Sequence, residues 1–146
     1  MPTAARLVAA ACFAGLAYLV SGMIVPLLPE GTPVPFLGII NALLGVVCGW
    51  RIMGPRAGRG VRGSVGIGIT TSVALGLLAL FLHSAAKMVK LSLRKYYDNP
   101  TEAVVAIFEI GFEYAKLIAT TEVIGTALIG GIIAGLVTNA ADRRWN

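Results

Sequence analysis

A chain of 146 residues that is 57% hydrophobic and 13% charged, with a mean hydropathy of +0.83, has too little charged surface to coat a water-soluble core. An integral membrane protein is the expected class. The formal charge of +5 is then a topology and lipid signal, because the basic residues flank apolar runs and no aromatic-studded basic groove accompanies them, so nucleic acid is not an expected partner.

The first helix is predicted from Thr3 to Val25, ending before Pro26. Its apolar run, Leu7 to Leu28, exceeds the apolar core of about 7 to 15 residues in a signal peptide, and it is read as a retained span. Pro26, Pro29, Pro33 and Pro35, with Glu30 and Gly31 between them, predict a stiff non-helical crossing loop. The second helix covers Phe36 to Met53, with Asn41 its polar interruption and Gly54-Pro55 its stop. Asn41 is expected to hydrogen-bond between helices. From Trp50 to Gly63 the chain carries Arg51, Arg56, Arg59 and Arg62 without an acid, the bias that holds a loop on the cytoplasmic side of a bilayer.

The third helix should begin near Val61 or Gly63 and stay apolar through Leu82, with His83, Lys87, Lys90 and Arg94 marking its emergence. Tyr96 and Tyr97 fit an interface, and Asp98-Asn99-Pro100 breaks the helix before another starts near Pro100. Thr101 to Ala119 combines an apolar face with Glu102, Glu109, Glu113 and Lys116 on one stripe. The last helix, Val123 to Thr138, extends at its ends from Thr120 to Ala140.

Charge chooses between four and five spans. With four and both termini cytoplasmic, Arg6, Arg51, Arg56, Arg59, Arg62, Arg143 and Arg144 lie inside. Lys87, Lys90, Arg94, Lys95 and Lys116 lie outside, offset by Asp98, Glu102, Glu109, Glu113 and Glu122. A fifth span would move Arg143 and Arg144 outside, so four is preferred. The predicted fold is all-α: a single-domain, polytopic membrane bundle of four transmembrane helices plus one amphipathic interfacial helix.

Small residues at Gly60, Ser64, Gly68, Ser72 and Gly76 recur at every fourth position and predict a close-contact ridge, with Gly45 and Gly49, and Gly131 and Gly135, as complementary surfaces. The ridge serves either packing within one bundle or a homo-oligomer or larger membrane complex. Cys12 and Cys48 fall at similar predicted depths and admit two readings, small buried hydrophobes or a thiol pair for a soft metal or a metalloid oxyanion. His83, Glu109 and Glu113 form the candidate polar cluster, read as part of an interfacial or partner-facing salt-bridge stripe with Lys116 or as a catalytic acid, proton relay or metal site. Arg51, Arg56, Arg59 and Arg62 are candidate contacts to lipid phosphate or another anion. No motif points to a catalytic, cofactor or metal site, so none is expected. Membrane lipids, above all anionic phospholipid, are the expected partners.

The blocks Met1–Ala10, Asn41-Ala42 with Gly49–Gly60, Glu122–Thr126 and Arg143-Arg144-Trp145 together resemble the TrgA family, over essentially the whole chain. That resemblance implies a small alphaproteobacterial inner-membrane protein associated with tellurite resistance; it implies no catalytic residues. The functional expectation is a non-catalytic accessory or structural role in that resistance. The alternative is a transporter or efflux component for a tellurium oxyanion or another small anion.

Overall fold

The computed structural model describes residues 2–27, 37–93 and 98–145. Among these residues all regular structure is helical: α1 (Pro2–Ile24), α2 (Leu37–Cys48), α3 (Gly60–Leu93), α4 (Pro100–Ile118) and α5 (Thr121–Trp145). Four segments, Ala4–Leu27, Leu37–Arg56, Gly60–Leu93 and Thr121–Trp145, are long and apolar enough to cross a membrane. The protein is a multi-pass membrane helical bundle with α4 as a fifth, non-spanning helix. The proline loop with Pro29, Glu30, Gly31, Pro33 and Pro35 lies outside the described residues, as do Arg94, Lys95 and the Tyr96-Tyr97 pair.

The bundle is apolar outside and small or polar within. Leu43, Leu77 and Ile129 are 60–63% exposed, whereas Ser21, Ser64, Thr71, Ser84 and Thr138 are buried. Hydrocarbon rewards the first group for facing outward and gives helices no hydrophobic reason to associate, so close approach at small residues has to hold them. These five hydroxyls are satisfied locally. Each donates to the carbonyl four residues earlier, as Ser64 does to Gly60 at 2.7 Å and Thr138 to Ala134 at 2.7 Å, and so behaves as a small packing residue.

Helix α1 packs against α2 and α5, α5 against α3, and α3 against α4, with a lighter contact between α2 and α3. Two seams set this order. A Cβ placed at Gly45 or Gly49 would overlap the carbonyl of Phe13 or Ala9, and one at Gly68 or Gly135 would overlap the carbonyl of Gly131 or Ser64. The backbones of α1 and α2, and of α3 and α5, therefore touch directly at these points. The predicted ridge is shorter than its spacing suggests: Ser64, Gly68 and Ser72 are buried, but Gly60 is exposed at the helix start and a Cβ added at Gly76 would meet nothing within 4 Å. Gly76 opens space instead of closing it.

Helix α2 departs from the single rod expected over Phe36 to Met53. After Cys48 it widens into a π-helical turn, Gly49–Met53, where the Gly54 amide donates to the Gly49 carbonyl, and then tightens to a 3-10 turn, Gly54–Arg56. Cys48 and Gly49 are buried, and so are Met53 and Gly54 five residues on. The wider turn keeps both pairs on the packed side, which a 3.6-residue period would not. The following turn uses Gly58 at φ +86° and Gly60 at φ +82°, left-handed conformations that favour glycine.

The start of α1 and the end of α5 share one end of the bundle with this turn. Gly54 sits against the Arg6 side chain, Gly58 against the Asp142 carboxylate, and Ala4, Leu7 and Val8 border the same shallow depression as Trp145. Four crossings require that coincidence. At the opposite end α3 runs on, since its 34 residues reach about 50 Å at 1.5 Å per residue against roughly 30 Å of hydrocarbon. Helix α4 lies along this extension, started by Asn99, whose side chain accepts from the Glu102 amide at 2.9 Å. The Glu102 carboxylate in turn accepts from the Asp98 amide at 3.2 Å. Ala106 and Ile110 form the buried stripe of α4.

Candidate functional site

At the end away from the termini, three helices are joined by a chain of side-chain hydrogen bonds. Ser21 lies on the buried stripe of α1 that begins Ala5, Ala9, Phe13, Ala17. Its hydroxyl donates to the Ala17 carbonyl at 2.7 Å and accepts from Nδ2 of Asn41 on α2 at 2.7 Å. The other end of that amide, Oδ1, lies 2.8 Å from Nε2 of His83 on α3. Because Nδ2 is committed to Ser21, Oδ1 faces the imidazole and accepts a hydrogen bond from it, so the network assigns the ring hydrogen to Nε2. One direction of donation runs from α3 through α2 to α1. Asn41 thus performs the interhelical bonding expected of it, with both ends of its amide occupied while it is buried.

Beside this bridge lies a cleft of about 870 Å³, between the diverging parts of α1, α3, α4 and α5. That volume falls within the roughly 300–1,000 Å³ common for small-molecule sites. Leu16, Val20, Ile24, Leu75, Leu80 and Val123 make its walls apolar. Ser21, Asn41 and His83 lie on one side, and Lys87, Lys90 and Tyr114 complete its polar border. The Lys87 ammonium sits 5.2 Å from the Tyr114 ring centroid, a cation–π distance that ties α3 to α4.

The remaining candidates are placed separately. Glu109 and Glu113 are exposed on α4 while His83 turns inward to Asn41, so the histidine does not join them. Lys116 lies 4.6 Å from the Phe112 ring centroid, and among the described residues it is in no ion pair with Glu109 or Glu113. Among the described residues no group of three His, Cys, Asp or Glu side chains could hold a metal ion. Cys48 belongs to the buried core with Phe13 and Met53, Cys12 packs against that core, and both thiols are free. Arg51, Arg56, Arg59 and Arg62 are all exposed around the turn. Arg6 differs, because its stem covers Gly54 and its Nε is buried without a hydrogen-bond partner.

Neither Ser21 nor the cleft stands out in the sequence. The recurrence of small residues at Ala5, Ala9, Ala17 and Ser21 in steps of four or eight is the signal that points to the serine. Comparison of the chain with family models, with curated proteins and with solved structures gives no match.

Proposed function

We propose that the protein is a non-catalytic accessory component of a bacterial inner membrane, with both termini cytoplasmic, that supports resistance to tellurite. The link to tellurite rests on the resemblance of the Asn41-Ala42, Gly49–Gly60 and Glu122–Thr126 blocks to the TrgA family. The orientation rests on the arginines of the Gly54–Gly60 turn, which sit at the same end as Arg6 and Arg143. The accessory reading rests on one observation above others: Ser21, Asn41 and His83 are joined in one hydrogen-bonded bridge that ties α1, α2 and α3 together. Polar groups used this way specify an assembly.

The test is complementation of a strain lacking the chain, scoring tellurite survival and membrane abundance together. The double variant Cys12→Ser/Cys48→Ser should accumulate normally and retain most of the protection, because the thiols act as small packing groups. A well-accumulated double variant without protection would make thiol chemistry the centre of the function. Transport is the second reading, favoured by the placement of His83, Lys87 and Lys90 around one cleft. Tellurite flux catalysed by the purified protein in liposomes would establish it in place of the accessory role.

A further inference from the structure

The face of α3 that borders the cleft changes character along its length. Gly76 and Ala79 come first, then His83, then Lys87 and Lys90. Counting 20 residues from Arg62, about the length that crosses the hydrocarbon, reaches Leu82, so His83 marks the boundary and the two lysines stand at headgroup level. The cleft is apolar where it would face acyl chains and basic where it would face phosphates. Among the described residues neither lysine is in an ion pair; Lys87 rests on Tyr114 and Lys90 is exposed. Small residues keep the space open, since a Cβ at Gly76 would meet nothing within 4 Å.

We infer that this cleft seats one anionic phospholipid, an acyl chain lying along Gly76, Ala79 and Leu80 and the headgroup phosphate held by Lys87 and Lys90. The match is one of charge and polarity together. A wholly apolar helix from a second protein would fill the apolar depth but offer the two ammonium groups no counter-charge. A phospholipid of negative charge satisfies both ends at once, its acyl chain against the apolar walls and its phosphate against the two ammonium groups. This site is separate from the arginine turn at the other end of the bundle and does not depend on the tellurite reading.

The experiment uses the full chain in nanodiscs of phosphatidylcholine containing phosphatidylglycerol, extracted into detergent, with retained lipids counted by native mass spectrometry. An Arg56→Gln/Arg59→Gln/Arg62→Gln background weakens the other basic end, and the arginines left there, Arg6, Arg51, Arg143 and Arg144, are common to every variant compared. In that background the protein should retain phosphatidylglycerol over phosphatidylcholine by at least tenfold. Adding Lys87→Gln/Lys90→Gln should remove most of that preference, whereas Lys87→Arg/Lys90→Arg should keep it. Gly76→Leu, which puts a side chain into the cleft without meeting another helix, should lower retention of both lipids. Excess inorganic phosphate should leave the phospholipid bound, because the acyl chain also holds it. Equal retention in the glutamine and arginine variants, or no effect of Gly76→Leu, would overturn the site. Displacement by phosphate alone would reduce it to an anion site without a lipid, and a lipid-free dimer would give the cleft to a second copy; either result overturns the inference.

Discussion

The two halves of α3 carry the same kind of spacing and do opposite things. From Ser64 to Ser72 the helix lies against α5 so closely that Gly68 touches the Gly131 carbonyl, while from Gly76 onward it leaves α5 and borders an open cleft. A small residue at every fourth position removes an obstacle; it does not supply a partner. The partner is another glycine at the matching height. Gly131 and Gly135 meet Gly68 and Ser64, and nothing on α5 stands opposite Gly76 within 4 Å of where its Cβ would be. Where the helices diverge, reach replaces contact, and the long side chains of His83 and Asn41 bridge α3 to α2.

The largest effect expected from this contrast is at Gly68. Gly68→Leu forces a branched side chain into the backbone of α5, an overpacking that costs about 1–3 kcal/mol or more. The helices have to separate, and the contacts of Gly131 and Gly135 go with them. The variant should lose thermal stability in detergent and fall in membrane abundance, and any tellurite protection should fall in proportion. Wild-type stability for Gly68→Leu would break the claim that the glycine seam holds α3 to α5.

Asn41→Leu should come next. It removes two interhelical hydrogen bonds, each worth about 0.6 kcal/mol on average in a membrane bundle, and leaves His83 turned toward an apolar side chain. The loss should be smaller than at Gly68, because leucine fills much of the same space and the seams persist. His83→Leu should produce a similar decrease, and the double variant should cost less than the sum of the two. Strict additivity in that double-mutant cycle, measured by thermal unfolding, would show that the two residues do not act as one bridge.

The spans are legible in the sequence because hydrophobic length and the breaks at Pro26, Gly54-Pro55 and Asp98-Asn99-Pro100 are local properties of the chain. The non-spanning character of α4 is legible for the same reason, as Glu102, Glu109, Glu113 and Lys116 interrupt every window long enough to cross. Asn41 is legible as a bonding residue, since an amide in hydrocarbon needs a partner, but the identity of its partners is not. Ser21 and His83 belong to helices far away in sequence, and the choice between them depends on how the helices tilt. The π-turn at Gly49–Met53 is similarly set by packing against α1. Charge alone groups His83 with Glu109 and Glu113; the structure turns it to the other side of the helix pair, toward an amide.

The smallest effect is expected at Gly76. Gly76→Leu makes the same chemical change as Gly68→Leu, on the same helix, two turns further along. A spacing rule would treat them alike. The structure places no atom of a neighbouring helix within 4 Å of the new Cβ, so the leucine enters the cleft without displacing backbone, and replacing glycine by a better helix former lowers the entropy lost on ordering. Gly76→Leu should therefore unfold within about 0.5 kcal/mol of the wild type, in the range of substitutions that disturb no packing. Its membrane abundance should be unchanged. Thermal unfolding of the two variants in one detergent decides the matter: a large gap between them means that contact with α5, and not residue type, sets the seam, whereas equal losses would mean that the ridge continues through Gly76 and that the cleft is not open.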